Sequence, residues 1–450
     1  LPAPTPLSDD KDRASEANLP HEVGPEPAAM SGECTGPITL PEAIDLALRY
    51  QPRLRVYEER IEEARGRSDV AFAPFLPQVN LIQRAFAGEN PNTDGFPLPL
   101  SEYSDAKGYQ TYEVTEMYMQ WTLWDFGRTY GRYRQAELGI DIARLQSERA
   151  RQTTAYEVSA AYSRVLQAQA ALRVGREAVR LAESVLAISR KSREAGLVPG
   201  DQVLRAEVQL AQARRSVVTA QKSLRVSVAA LNQAIGFNVS TPTEVVDWTE
   251  NPAFELTLAQ CLERAVENRR EFQVARQAIE AAAEGERAAR ADFLPRIYAE
   301  GVVAREEGRQ TVNGASETGA INLSWSLFQG GRRLGELRST NAAFRAASAQ
   351  AQVVCDSIAF EVNEAYSDLD AARQDIVLAR PAVAQARENL RLVTRRYETG
   401  DSTPTDIVDA ETALTRSEQD LYTAQYDYLT ALARIDYAMG TPPALAAGGY

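Results

Sequence analysis

Between residues 320 and 328 the chain alternates, with Ile321, Leu323, Trp325 and Leu327 on one side and Asn322, Ser324 and Ser326 on the other. A period of two is the pattern of a strand with one apolar and one polar face. Moved back by 204 positions the same rhythm returns, with Met117, Met119, Trp121 and Leu123 opposite Tyr118, Gln120 and Thr122. The stretches before them, about 76–88 and 294–306, alternate less cleanly. Each half is therefore expected to form a two-stranded hairpin, 75–125 and 293–328, with its loop at the far tip.

Elsewhere the period is helical. From Gly127 to Ala195 there is no proline, and Tyr156, Tyr162, Val165, Leu172, Val179 and Leu186 recur at helical spacing. A helix over 127–195 is roughly 100 Å long at ~1.5 Å per residue. Its counterpart spans 330–399, where Pro381 is expected to kink the helix rather than end it. After Gly196 and Gly400 the chain turns and runs back as return helices, 201–235 and 403–439, ending at Gly236 and Gly440. Glycine after the last helical residue suits a left-handed cap. Near the start, Pro52 divides a helical stretch into 40–50 and 52–73. The ~52 Å of a return helix and the ~33 Å of 52–73, stacked end to end, come to about 85 Å, close to the long helix with a joint between. Each half is one continuous strut beside one broken strut.

The chain is a tandem repeat. The phrase Phe-Leu-Pro begins at Phe75 and again at Phe293, an offset of 218, and "TLPEAIDLALRYQPRL" (39–54) answers "TLAQCLERAVENRREF" (257–272) at the same offset. Beyond the hairpins "WTLWDFGR" (121–128) answers "WSLFQGGR" (325–332) at 204, as "REAGLVPGDQVLRAE" (193–207) answers "YETGDSTPTDIVDAE" (397–411). The difference, 14 residues, lies in the Gly-, Pro- and Asn-rich "GENPNTDGFPLPLSEYSDAKGYQ", as expected of an exposed loop. The organisation read from this is an arm over 1–37, repeat one over 38–236, a linker over 237–256, repeat two over 257–440 and a tail over 441–450.

Composition narrows the function. Acidic residues outnumber basic ones, 62 to 49, for a net charge of −13, which argues against nucleic acid as a partner. No run of 18 apolar residues occurs, so no transmembrane helix is expected, but barrel strands leave no such run. The opening "LPAPTPLSDDKD" suggests a processed, exported start, and the Pro- and acid-rich arm reads as loosely draped. The single histidine, His21, and three scattered cysteines offer no catalytic triad or zinc site, and no GxxxxGK[ST] motif is present. No catalytic residue, metal or cofactor is expected. Four strands with an apolar face cannot close a barrel alone, and an open edge cannot sit in lipid. Either the faces pack together in water, in a non-conducting periplasmic or cytosolic coiled-coil scaffold, or several copies close one barrel. Trp and Met on one face and Ser, Thr, Asn and Gln on the other favour lipid outside and water inside.

The duplicated layout, the FLP strand entries, the W-x-L-x-x-x-G-R exits and the Y-E-x-G turn resemble the TolC family of outer-membrane channels over about 39–440. The resemblance implies an α+β membrane protein: an outer-membrane β-barrel of four strands per chain, twelve per homotrimer, continued by a long periplasmic α-helical barrel. Twelve helices at ~10 Å spacing enclose a bore of roughly 28 Å. It further implies an exit duct for efflux or type I secretion, contacting outer-membrane lipid and served by a periplasmic adaptor and an inner-membrane ABC or RND-type pump. Some metal- and drug-efflux members begin with a lipid-bearing cysteine; Leu1 here points to the TolC branch proper.

By the same resemblance the duct closes at the helical turns. The family's aspartate rings map onto Asp406 and Asp409, and its gating tyrosine onto Tyr397. Asp201 sits one position before the family's partner aspartate, where this chain has Gln202, and Ser402 stands where some members carry a basic latch residue. Each acid is also readable as a solvated helix start that favours the dipole, which is the preferred reading for Asp201, while the gate is preferred for Asp406 and Asp409. Gly196 and Gly400 are the expected hinges and the site of adaptor docking. For Cys34, Cys261 and Cys355, a disulfide using two of the three and unpaired thiols both remain open.

Overall fold

The computed structural model describes residues 36–89, 109–196, 199–247, 252–308, 314–399 and 401–442. In chain order the elements are α1 (Leu40–Tyr50), α2 (Pro52–Phe72), β1 (Gln78–Glu89), β2 (Tyr109–Trp124), α3 (Arg128–Glu194) and α4 (Gly200–Ile235). The second half repeats them as α5 (Leu258–Asn268), α6 (Arg270–Ala291), β3 (Arg296–Gly308), β4 (Gly314–Ser324), α7 (Arg332–Glu398) and α8 (Pro404–Met439). The molecule is α+β and mostly helical, and among the described residues it has one antiparallel sheet in the order β1-β2-β3-β4. Helix α7 runs through Pro381 without ending. The arm up to residue 35, the 90–108 loop and Gly400 lie outside the described residues.

The two hairpins join side by side, β2 pairing with β3 across the repeat boundary. Register sets Val79 opposite Met119, Leu81 opposite Met117, Met117 opposite Val303 and Ile297 opposite Leu323, so the apolar positions of all four strands share one face. Strand β4 stops sooner than its alternation suggests. Ser324 pairs with Arg296, the first residue of β3, and past it no ladder partner remains. Trp325 and Leu327 therefore leave the sheet, which corrects the expectation of a strand to 328.

Entry to and exit from the sheet are held by repeated contacts. The indole N–H of Trp121 donates to the Phe75 carbonyl at 2.8 Å, and that of Trp325 to the Phe293 carbonyl at 3.0 Å. The repeated FLP and Trp phrases thus carry a hydrogen bond that ties the end of one strand to the start of its neighbour, although the loop between them differs by 14 residues. Reversal from strand to helix uses two successive left-handed residues: Phe126 (φ 58°) and Gly127 (φ 90°) in one half, Gly330 (59°) and Gly331 (84°) in the other. Phe126 tolerates this because Asp125 anchors the turn, its carboxylate accepting from the amides of Gly127 (3.2 Å) and Thr129 (2.8 Å).

Helix α3 is the axis of the body, packing on α2 and α4 of its own half and on α6 and α8 of the other. The broken struts meet at joints of one design. At Gln51 the backbone leaves the helix (ψ 114°), and its side-chain amide donates to the carbonyls of Gln233 (3.1 Å) and Ala234 (2.7 Å) at the end of α4. At Arg269 the same break (ψ 120°) aims a guanidinium at the Ala438 carbonyl (3.1 Å) at the end of α8. The break at 269 occurs without a proline: Arg270 stands where the first half has Pro52, and the Arg269 guanidinium caps the end of α8 instead. Both return helices close on a left-handed glycine, and the approach is tight: a side chain at Gly236 would stand 2.7 Å from the Tyr50 carbonyl oxygen, and one at Gly440 3.0 Å from that of Asn268.

Two cores follow from this layout. A large one at mid-body gathers Val158, Val165 and Leu166 of α3, Leu231 and Ile235 of α4, Val362 of α7, and Leu432, Ile435 and Met439 of α8. The 237–247 segment is strapped onto it. Ile38 bridges to Val245, and the buried Tyr162 hydroxyl donates to the carbonyls of Ile38 (2.9 Å) and Val246 (2.7 Å). A much smaller core lies at the helical turns, where Ala182, Val185, Leu186, Val203, Ala206 and Leu210 meet Ile407 of the second hairpin.

Candidate functional site

The residues singled out by the sequence gather at two ends of the molecule. At the sheet, Val79, Leu81, Met117, Trp121, Leu123, Ile321 and Leu323 are all exposed on the apolar face, and Met119 is half-buried among them. Trp325 and Leu327 extend this exposed surface below the strand. The opposite face is polar and internally paired: Arg84 to Glu116 at 3.1 Å and the Asn322 amide to Glu300 at 2.8 Å. A surface so divided suits hydrocarbon on one side and water on the other.

At the other end lie the turns. Thr403 caps α8, with Pro404 at the first helical position, and Asp406 completes a capping box. The Asp406 carboxylate accepts from the Thr403 amide (2.7 Å), the Thr403 hydroxyl (2.8 Å) and the Ser402 hydroxyl (3.0 Å). These bonds, the backbone one foremost, hold its pKa below the usual aspartate value. Ser402 thus acts within its own turn, where a basic residue would reach outward. Asp409 is exposed three residues on, and Tyr397 is half-buried against the small core. Gly196 is left-handed (φ 73°), a conformation that glycine adopts without strain where the chain reverses.

The first hairpin is built differently. Asp201 is exposed and pairs with Arg205 at 3.7 Å, one turn along α4. The buried side-chain oxygen of Gln202 has no hydrogen-bond partner among the described residues. By the 204-residue repeat Gln202 answers Asp406, and Arg205 answers Asp409, so the acid pair exists only in the second hairpin. A groove of about 490 Å³ between the two return helices brings Asp201, Gln202 and Arg205 beside Thr405 and Val408. Arg205 was legible in the repeat alignment as the charge-reversed partner of Asp409; the motif alone does not single it out.

Cys261 and Cys355 are both free, so no disulfide joins those two, and Cys34 lies outside the described residues. Cys261 is fully buried, and burial pushes its thiol up to about 11, which leaves it inert packing. Among the described residues no group of three or more potential ligands could hold a metal ion.

An amphipathic four-stranded sheet on one end of a helical body of roughly 100 Å defines a membrane-anchored helical conduit. The profile of the outer membrane efflux protein family matches residues 43–237 and 261–441, and the chain belongs to that family, the TolC-like channels of the outer membrane. The chain is 24% identical over 409 residues to the alkaline protease secretion protein AprF of Pseudomonas aeruginosa, covering 88% of this chain and 83% of that protein. To the protein CyaE of Bordetella pertussis it is 26% identical over 423 residues, 91% and 87% of the two chains. In fold it is similar to the outer membrane protein VceC of Vibrio cholerae, with a TM-score of 0.76 at 20% identity over 89% of this chain and 96% of that one. Family membership makes the protein a channel of efflux or secretion machinery rather than an enzyme, and sets aside a cytosolic scaffold.

Proposed function

We propose that the protein is a passive exit duct in which three copies close one twelve-stranded barrel and one helical tunnel. The observation that carries this reading is the sheet itself. Each of the outer strands, β1 and β4, has a strand neighbour on one side only among the described residues, while the sheet's exposed apolar face calls for lipid. An unpaired strand edge is not tolerated in hydrocarbon, so further copies must supply the missing neighbours. A periplasmic adaptor docks at the turns and an inner-membrane ABC or RND-type pump supplies the energy; the cargo is a secreted protein or a small molecule exported by efflux.

The constriction lies at the turns. Three copies of Asp406 and Asp409 form carboxylate rings that draw cations and repel anions. Tyr397, Asp201 and Gln202 line the approach, and the hairpins swing about Gly196 and Gly400 when the duct opens. What supports this is the thin core holding the second hairpin to the first and the concentration of acid on one hairpin only. Single-channel recording tests it. The wild type should show a small, cation-selective conductance, and D406A/D409A should lose that selectivity and conduct more. Unchanged selectivity in the double variant would remove the acidic constriction from the account.

A further inference from the structure

The two halves differ at one position near the turns, exposed in the first half and buried in the second. Glu207 on α4 and Glu411 on α8 are equivalents under the 204-residue repeat. Glu207 reaches across its hairpin to Arg190 at 2.8 Å. The residue equivalent to Arg190 is Thr394, whose hydroxyl instead turns back to the Leu390 carbonyl at 2.8 Å. The Arg387–Glu418 pair (2.9 Å), two turns further from the tip, fixes the α7–α8 register and sets Thr394 opposite Glu411. Glu411 is thus left without a cation. It is only 5% exposed, and its Oε1 has no hydrogen-bond partner among the described residues.

The charged groups around it are engaged elsewhere or face water. On α7, Arg391 pairs with Glu388, and Arg395 and Tyr397 lie toward the turn. On α4, Arg205 pairs with Asp201, and on α3, Arg190 is taken by Glu207, with Lys191 and Arg193 exposed or at the helix end. On α8 itself Asp409 lies on the opposite face, and Glu418, on the same face two turns on, is held by Arg387. None of these offsets burial, which alone pushes the Glu411 carboxyl up to about 7. Two more buried polar atoms near the turns also lack partners, Ser189 Oγ and Gln202 Oε1. The small core is poorly satisfied on all three helices that build it, as expected of an element that must come apart.

We propose that Glu411 is a proton-operated latch: protonated, it lies in the small core and keeps the second hairpin closed; ionised, it is drawn to water and loosens the return helix α8. The proposal rests on the reading of the turns as the constriction. The sign follows from linkage. A carboxyl whose pKa is raised in the closed state binds its proton more tightly there, so acid favours closure. The penalty on the closed state grows as the pH rises from the ordinary glutamate value and is complete above about 7. A shift from 4.5 to about 7 limits the change in the open-to-closed ratio to roughly 300-fold per subunit.

Two measurements on the purified protein test this. Infrared difference spectra across pH 4 to 9, wild type against E411Q, read the protonated carboxyl directly. Planar-bilayer recordings at pH 5 and pH 8 compare the wild type, E411Q and T394R, the last restoring the cation found in the first half. The wild type should open about tenfold or more often at pH 8 than at pH 5. E411Q and T394R should stay mostly closed at both. A Glu411 carboxyl that titrates below pH 5, or an E411Q protein that keeps the wild-type pH response, overturns the latch. If Glu411 titrates near 7 and D406A/D409A changes conduction, but the wild type shows no pH response, the latch fails while the constriction stands. If D406A/D409A also changes nothing, the constriction reading fails first.

Discussion

A handful of side chains decide where this chain breaks, turns and stops. Arg269 is the most constrained of them: 4% exposed, it caps α8, pairs with Glu361 at 2.7 Å and Glu271 at 3.0 Å, and shares Tyr437 with Arg149, whose guanidinium lies 3.7 Å from the ring. Removing one partner of a buried charge cluster leaves the rest uncompensated, so R269A should destabilise the protein by about 3 kcal/mol or more in chemical denaturation. Q51A removes only a neutral capping amide and should cost about 1 kcal/mol. Equal losses would mean that the two joints are not the graded pair described. Asp406 belongs to the same scale. Its pKa is depressed in the folded state, so its support for α8 is present above the ordinary aspartate value and is lost as the pH falls through the lowered one. Amide hydrogen exchange in the first turn of α8 should therefore quicken in strong acid, and D406N should already show that fraying at neutral pH. Protection that persists in D406N would leave the capping box without energetic weight.

Among the elements, the long helices were the most legible, because an unbroken apolar period and glycines at the turns define them from both ends. The joint at 269 was legible only through the repeat, which sets it 218 positions after Gln51; no proline marks it. The early stop of β4 was hidden: Trp325 and Leu327 keep the alternation, but only a partner strand can make a ladder. Their true role is partly legible in hindsight, since each Trp recurs with its FLP phrase and its indole reaches that phrase's Phe carbonyl. W121F and W325F retain the apolar ring and lose the donor, so each should lower thermal stability by about 1 kcal/mol. An unshifted melting transition in the double variant would show that the indole contacts are incidental. Asp406 and Asp409 were singled out by motif, but that Asp406 is a cap as well as an acid emerged only from its three hydrogen bonds. Glu411 could not be read at all, because nothing in the α8 sequence marks it as the buried acid of its hairpin.

The whole molecule is a strut with amphipathic strands at one end and a thin, acid-tipped core at the other. Its large core sits at mid-body, where α3 meets helices of both halves and the 237–247 strap crosses them, so rigidity is concentrated away from both ends. That distribution suits a duct whose middle holds shape while its tip opens. The sheet, by contrast, is incomplete in a single chain. The measurement that bears most directly on this account is native mass spectrometry of the protein released from lipid nanodiscs, beside the same protein without lipid or detergent. The account predicts the mass of three chains from the nanodisc, and aggregation or loss of the species when lipid and detergent are absent. A monodisperse single chain that stays in solution without either would contradict the shared barrel, and with it the duct.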